Sequence, residues 1–174
     1  MNKEMRFNDD ASAVLEQLQR GAFLVVKADN RINPMTIAWG TIGFMWNKPV
    51  FMVMVRYTRY TYELLEWASG FTVSVPLNGQ LEEALALCGT KSGRDLDKAA
   101  ASGLTFKQGS QSGLYYIEEC DINYECKTIY QQAMEPGTLN AAIKQKHYSN
   151  HDYHVLYYGE IIRTFRNDHH NTSR

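Results

Sequence analysis

Long apolar runs are missing from this sequence, and none approaches the roughly 20 residues that a membrane-spanning helix needs. Cysteine is scarce: Cys88, Cys120 and Cys126 lack the paired spacing of a metal site or a disulfide framework, which favours a reducing cytoplasm. Charge of one sign is not in excess, since the formal net charge is −1. A global basic field for nucleic acid is therefore excluded. The polar, acidic residues 1–10 are not typical of a signal peptide.

The common nucleotide-binding motifs are also absent. No GxGxxG follows the first predicted strand, and no GxxxxGK[ST] occurs anywhere in the chain. Ser92 lacks the pattern of a hydrolase nucleophile elbow. No repeat or linker divides the sequence, so we expect one domain over residues 1–174 with residues 166–174 as a flexible tail.

Short strand patterns dominate what is present. A helix from Arg59 to Ser69, capped by Thr58, and shorter helical segments interrupt them. Residues 35–44 form one strand pattern, the second strand of a hairpin. The other clear strand patterns are 22–28, 50–55, 71–75, 115–119, 122–129 and 155–165. This spacing predicts a mainly β protein with inserted helices, built as an antiparallel barrel or sandwich.

Arg56-Tyr57-Thr58-Arg59-Tyr60-Thr61 concentrates guanidinium and hydroxyl donors where a strand ends and a helix begins. Such donors suit a phosphate group, which carries nearly two negative charges. We therefore predict that Arg56, Thr58, Arg59 and Thr61 bind the phosphate of a flavin mononucleotide. The alternative is a solvated edge with an ordinary Thr cap.

Two further stretches would hold the rest of that ligand. In Asn33–Gly40, Thr36 and Ala38 give one strand face that is small and polar, which would let a flat ring approach the backbone. Ile37 and Trp39 occupy the other face and could instead be plain core residues. In the loop from Cys88 to Lys98, the cations Lys91, Arg94 and Lys98 could stabilise negative charge. That loop could also be merely solvated, with Asp95 or Asp97 capping the next helix.

Three histidines form a rival site. His147, His151 and His154 are spaced by four and three residues, so on a helix they would share a face and could bind a divalent metal. The turn-like Asn150-His151-Asp152 argues against a continuous helix there.

In order and spacing these stretches resemble the flavin reductase-like family, which includes the flavoredoxins and has the FMN-binding split-barrel fold. The resemblance spans roughly Ala22 to Ile162. Besides the three stretches above, it rests on Lys48-Pro49, Phe71-Thr72-Val73-Ser74-Val75-Pro76, Glu125-Cys126-Lys127 and His154-Val155-Leu156-Tyr157-Tyr158-Gly159-Glu160-Ile161. The chain departs from the commoner pattern in its aromatic Gly43-Phe44-Met45-Trp46 and its basic, aromatic residues 56–60.

The resemblance implies a six-stranded antiparallel split β-barrel, usually a homodimer with FMN near the subunit interface. By motif match, His154 corresponds to the family's histidine before the last strand. Because a flavin would carry the redox chemistry, we expect no catalytic side chain. The residues that the resemblance places around FMN are Asn33, Met35, Thr36 and Trp39 along the ring, Arg56, Arg59 and Thr61 at the phosphate, and Ser92, Gly93, Asp97 and Lys98 in a covering loop. The patterns described above add Ile37 and Ala38 along the ring, Thr58 at the phosphate and Lys91 in the loop.

Three functions follow from these patterns. The first is an FMN-dependent oxidoreductase that takes electrons from NADH or NADPH and passes them to a flavin, a protein or a small acceptor. The second is a non-catalytic FMN-binding electron carrier or flavin store, which receives its electrons from a redox protein partner. The third is a metal-binding or purely structural β-barrel, which would leave the histidines or nothing as the site.

Overall fold

The structure, a computed structural model, describes residues 2–167. Its helices are α1 (Ala11–Leu18), α2 (Tyr60–Leu65), α3 (Glu82–Thr90), α4 (Lys98–Ala101) and α5 (Ala141–His147). Its strands are β1 (Lys3–Met5), β2 (Ala22–Ala28), β3 (Arg31–Ile37), β4 (Gly40–Met45), β5 (Lys48–Arg56), β6 (Gly70–Val75), β7 (Phe106–Gln108), β8 (Tyr115–Ile117), β9 (Ile122–Ala133) and β10 (His154–Arg166). Within the same residues, no helix is both long and apolar enough to cross a membrane.

One antiparallel sheet organises the fold. Its strand order is β3-β2-β6-β9-β10-β5-β4, and β1 pairs with the far end of β10, while β7 and β8 form a separate hairpin. The mainly β prediction is confirmed. The predicted six-strand count and barrel closure are not confirmed, because this sheet pairs eight strands and remains open in its hydrogen bonding at β3 and β4.

The apolar core explains why β2 has no alternation. Leu24 and Val26 join the main core of the sheet, whereas Phe23 and Val25 pack on the opposite face against α3 and the β8 region. A strand that is covered on both faces needs apolar residues on both faces, and in β2 only Lys27, near its end, is polar. The predicted bounds of this strand, 22–28, agree with β2.

The predicted strand 35–44 is wrong in one respect, since it is two strands. β3 pairs with β2, β4 pairs with β5, and Ala38 and Trp39 lie between them without strand pairing. Because β2 and β5 lie far apart in the sheet, one straight strand could not pair with both. Gly40 permits β4 to lie close to β5, since a Cβ there would lie 2.7 Å from the carbonyl oxygen of Met52.

The helix after β5 is shorter than predicted and begins one residue later. α2 spans Tyr60–Leu65, and Arg59 occupies its N-cap position. Thr58 does not cap it, because its hydroxyl donates a hydrogen bond to Asp152 Oδ2 at 2.7 Å.

The tail prediction needs correction at its start. Arg166 belongs to β10 and forms an ion pair with Asp10 at 2.6 Å. Asn167 is buried, and its Nδ2 donates to the carbonyl oxygens of Ile117, Glu118 and Cys120. Residues 168–174, the remainder of the predicted tail, lie outside the described residues.

Candidate functional site

Two adjoining cavities lie between β3, the turn after β5 and the segment from α3 to α4. The larger, about 220 Å³ in volume, is called here the open cleft, and the smaller, about 90 Å³, the cationic pocket. Met35 and Arg59 line both. The open cleft is also lined by Thr36, Ile37, Ala38, Trp39, Met54, Arg56, Gly89 and His154. The cationic pocket is also lined by Thr58, Tyr60, Thr61, Cys88, Lys91, Ser92, Gly93, Arg94 and Lys98.

Lys98 is the most unusual residue of the cationic pocket. Its side chain is 4% exposed, and its Nζ donates to the carbonyl oxygen of Cys88 at 3.2 Å. Within residues 2–167 it forms no ion pair, and burial lowers its pKa, a shift that Cys88 opposes and Arg59 supports. A buried ammonium group without a counter-charge is costly. An anion in this pocket would offset that cost.

Arg59 and Lys91 add free positive charge at the mouth of the pocket. Both side chains are exposed, and in the described part of the chain neither makes a hydrogen bond or an ion pair. Arg94 is already engaged, because its guanidinium donates to the Thr58 carbonyl oxygen at 3.0 Å and forms an ion pair with Glu63. The two free cations and Lys98 therefore give the pocket its uncompensated charge.

Asn33 and Thr61 form the buried floor beneath this loop. Asn33 Nδ2 donates to Thr61 Oγ1 at 2.9 Å, so these two polar groups bind each other. The loop packs tightly on them, since a Cβ at Gly93 would lie 2.1 Å from Asn33 Oδ1 and 2.6 Å from the Tyr60 ring. A glycine is therefore required at position 93, because any side chain would displace the loop from the floor.

Asp97 lies outside both cavities. It is exposed, and its Oδ1 accepts a hydrogen bond from the Ala100 amide at 3.2 Å, which caps α4. The sequence left Asp97 either as a residue of the ligand-covering loop or as the cap of the next helix, and in the structure it caps α4.

The open cleft runs along the edge strand β3. Within residues 2–167 this strand pairs only with β2, so its other edge has no strand partner. The Thr36 hydroxyl is bound to the Leu85 carbonyl oxygen at 2.6 Å, and Ile37 belongs to the main core. Trp39 is 40% exposed, which removes the core interpretation for this residue.

Trp39 and His154 form an aromatic wall of the cleft, and His147 packs against Trp39. The Trp39 ring centroid lies 5.0 Å from that of His147 and 5.4 Å from that of His154. His154 is 7% exposed, and its Nδ1 lies 2.7 Å from the hydroxyl of Tyr148. Burial, the largest cause, together with the nearby Arg56 lowers the pKa of His154 to about 4, while Asp152 opposes the shift. The imidazole is therefore neutral at physiological pH.

Arg56 connects this wall to the loop before β10. Its guanidinium donates to the carbonyl oxygens of Asp152 and His147, and it lies 5.1 Å from the Tyr148 ring centroid. Arg56 thus lines the cleft with protein partners already in place, in contrast to Arg59.

The metal hypothesis gains no support from the geometry. No group of three His, Cys, Asp or Glu side chains suited to a metal ion occurs among residues 2–167. His147 ends α5, His151 is exposed in the following turn, and His154 begins β10. They do not share one helix face.

Sequence reasoning missed Tyr148 and Met54 as parts of the site. Met54 lines the cleft from β5, where it faces Leu156 across the β5–β10 pair. Tyr148 reaches His154 through a turn of irregular backbone, in which His151 has φ of 60°. The one available signal was the tyrosine-rich context of the histidines, which does not specify a hydroxyl-to-imidazole contact.

Comparison with known proteins places this geometry among flavin proteins. Residues 16–173 match the family described as "Flavin reductase like domain". A flavoredoxin of Desulfovibrio vulgaris (Miyazaki F) is 26% identical, with a TM-score of 0.66 over 85% of this chain and 69% of that chain. A flavoredoxin from Methanosarcina acetivorans is 23% identical, with a TM-score of 0.65 over 85% of this chain and 68% of that one. An NADH:FAD oxidoreductase from Streptomyces globisporus is 20% identical, with a TM-score of 0.64 over 84% and 75%. The last two identities indicate a common fold alone.

Proposed function

This chain belongs to the flavin reductase-like family, which supports a flavin-related oxidoreductase function, and from that premise we propose that it binds FMN and transfers electrons from NADH or NADPH. One observation carries the proposal. The buried cation Lys98 lacks a counter-charge in a pocket that joins, through Arg59 and Met35, a cleft along the free edge of β3. A ligand with an anionic end and a flat end fits that pair of cavities.

The cationic pocket would hold the phosphate. Lys98 and Arg59 supply charge, Lys91 adds a third cation at the mouth, and Ser92 and Thr58 line the same pocket. A phosphate brings nearly two negative charges and three acceptor oxygens, which suits the three cations Arg59, Lys91 and Lys98. We therefore assign the phosphate to Arg59 and Lys98. Arg56, whose guanidinium already has carbonyl partners, would instead hold the loop before β10 in place.

The open cleft would hold the ring system. Backbone groups on the free edge of β3 between Met35 and Ala38 would bind its polar edge, and Trp39 would shield it from water. Asn33, Thr61 and Gly93 would contribute from below by keeping the loop close to the floor. When bound, the flavin supplies the redox chemistry, and the protein provides position and charge. Arg56 and Arg59 would favour negative charge in the cleft.

A second candidate function is electron transfer without turnover of a nicotinamide. It is favoured by the likeness to a protein named flavoredoxin at 26% identity. An absorbance assay of NADH and NADPH oxidation, run in air with added FMN, distinguishes the reductase from the carrier. Steady oxidation supports a reductase. No nicotinamide oxidation, together with reduction of the bound FMN by a reduced protein partner, supports a carrier.

We also propose a homodimer in the cytoplasm. Support comes from an exposed apolar surface around the β4–β5 turn, where Phe44 is 63% and Trp46 56% exposed, with Tyr130 beside Trp46. Apolar patches of this kind commonly mark interfaces. Light scattering after size-exclusion chromatography would give a mass near 40 kDa for two chains of 20.0 kDa, or 20.0 kDa if the proposal is wrong. Closure of the sheet into a split barrel stays a prediction.

The test of FMN binding is the absorbance spectrum of the protein after incubation with FMN and removal of free ligand. We expect flavin bands at about one FMN per chain, and a colourless protein would contradict the proposal. In Lys98→Met, loss of a charge-assisted contact should weaken FMN binding about 10- to 150-fold.

The matched control is Lys107→Met, because Lys107 is exposed and pairs with Glu118 away from both cavities. It should bind FMN like the unmodified protein. Without FMN, Lys98→Met should be at least as stable as the unmodified protein, since it removes an uncompensated buried charge. Unchanged FMN affinity in Lys98→Met would overturn the phosphate assignment.

A further inference from the structure

The hydroxyl of Tyr148 has a single partner. Tyr148 is 2% exposed, and its oxygen lies 2.7 Å from Nδ1 of His154. Within the described residues, no other hydrogen bond involves this hydroxyl. The ring of Tyr148 is held independently, since it stacks on Tyr153 at 5.2 Å and lies under the guanidinium of Arg56.

The direction of this hydrogen bond follows from burial. If Nδ1 carried the proton and donated to Tyr148, the buried hydroxyl proton would have no acceptor, at a cost of about 1–3 kcal/mol. If Tyr148 donates, its proton is satisfied and Nδ1 uses its lone pair. A neutral imidazole has one N–H, so the proton then lies on Nε2.

The imidazole of His154 also borders a cavity. His154 lines the open cleft beside Trp39, and its Nε2 has no hydrogen-bond partner among residues 2–167. The charged groups that act on the ring are Arg56 and Arg59, which disfavour an imidazolium, and Asp152, which favours one. Burial is the largest influence and also keeps the ring neutral.

We propose that Tyr148 is a positioning residue that holds His154 in its Nε2–H tautomer, and that this N–H selects cleft ligands with an acceptor oxygen, such as a carbonyl. The proposal rests on the proposed function only in taking the open cleft as a ligand site. The hydroxyl acts on the ligand through the imidazole and does not touch the ligand itself. The ligand class is a planar molecule whose carbonyl oxygen is directed at the aromatic wall.

The tautomer can be measured without FMN. Long-range ¹H–¹⁵N NMR of the histidine rings distinguishes a protonated from an unprotonated ring nitrogen. We expect His154 to show an unprotonated Nδ1 and a protonated Nε2 from about pH 5.5 to about pH 8. In Tyr148→Phe, which keeps the aromatic ring, both tautomers should be populated. A protonated Nδ1 in the unmodified protein would overturn the proposal, whatever the outcome for FMN binding.

The selection is tested with two probes of nearly equal shape, acetophenone and α-methylstyrene, which differ in a C=O and a C=CH₂ group. In the FMN-free protein, whose cleft is open to the probes, the carbonyl compound should bind about 2- to 12-fold more tightly, as expected for one neutral hydrogen bond. This preference should fall to near one in Tyr148→Phe and remain in the control Tyr115→Phe, which changes a half-buried tyrosine that lines neither cavity. An equal preference in the unmodified protein and in Tyr148→Phe, or no binding of either probe, would overturn the selection.

Discussion

The cationic pocket and the open cleft adjoin each other but leave different groups available to a ligand. In the pocket, Arg59, Lys91 and Lys98 carry charges that no acidic side chain in the described chain neutralises. In the cleft, the side chains of Thr36 and Arg56 are already hydrogen-bonded to the protein. A ligand therefore meets free charge in one cavity, and mainly a free strand edge and one imidazole N–H in the other. We therefore expect the cationic pocket to determine the affinity for an anionic ligand, and the open cleft to determine which ring shapes can bind.

The largest expected effect tests whether the imidazole of His154, which lines the open cleft, is neutral in the folded protein. The folded-state pKa of His154, about 4, lies below its ordinary value of 6.5. Between these values the unfolded chain therefore binds more protons than the folded protein. The contribution of His154 to the free energy of unfolding is fully present above pH 6.5 and is lost as the pH falls to 4. The loss attributable to His154 should be roughly 3 kcal/mol.

Urea denaturation at several pH values measures it. His154→Asn should lack this part of the acid-induced loss. His151→Asn is the control, because it removes an exposed imidazole, and asparagine tolerates the positive φ at that position. Equal acid sensitivity of His154→Asn and the unmodified protein would mean that the imidazole is not buried as a neutral base.

Removing a free charge from the pocket gives the next effect. Arg59→Ala should weaken FMN binding about 10- to 150-fold, or about 1.5–3 kcal/mol, because its guanidinium has no protein partner to compete with a phosphate. Quenching of FMN fluorescence measures the dissociation constant, and circular dichroism confirms the fold. Riboflavin, which lacks the phosphate, is the control ligand. If Arg59→Ala lost riboflavin and FMN binding equally, Arg59 would belong to the cleft and the distinction between the cavities would fail.

Packing beneath the pocket should matter slightly less. In Gly93→Ala the new Cβ would clash with Asn33 and the Tyr60 ring, so we expect a loss of about 1–3 kcal/mol in unfolding free energy and weaker FMN binding. Thermal and urea denaturation measure the loss. Gly43→Ala is the matched control, since no atom lies within 4 Å of a Cβ there, and it should be neutral or slightly stabilising. Equal effects of the two substitutions would show that the loop does not depend on its contact with the floor.

The smallest effect concerns a hydroxyl that lines the pocket but is already bound. Thr58→Val removes the hydrogen bond to Asp152, so unfolding free energy should fall by about 0.5–1.5 kcal/mol. FMN affinity should change less than about 3-fold, because the hydroxyl has a partner without the ligand. Isothermal titration calorimetry distinguishes this from direct phosphate binding, for which the loss of affinity would match that of Arg59→Ala.

The parts of the fold that depend on local pattern were predictable. β2 follows from an apolar run bounded by glycine and turn residues, and Lys98 and Gly93 could be nominated from residue type on a short loop. The family is confirmed, because several weak motifs occur in the right order. The individual binding roles stay predictions until FMN binding is measured.

What could not be predicted depends on strand register. The division of residues 35–44 into β3 and β4 requires knowing that β2 and β5 are separated in the sheet. The contacts of Arg56 also depend on register, since Arg56 lies opposite His154 in the β5–β10 pair and so reaches the loop before it. Sequence periodicity gives the faces of a strand but not its neighbours.

The thirteen-residue strand β10 has a consequence for how the protein matures. It joins β3-β2-β6-β9 to β5-β4, and it comes after every other described strand in the chain. During synthesis the two parts of the sheet must wait for it, and pairings this distant in sequence form slowly. The open cleft has walls on both parts, namely Thr36 from one and Met54 from the other. We therefore expect the nascent chain to capture its ligand only after β10 has inserted, so that cofactor loading reports the completion of folding.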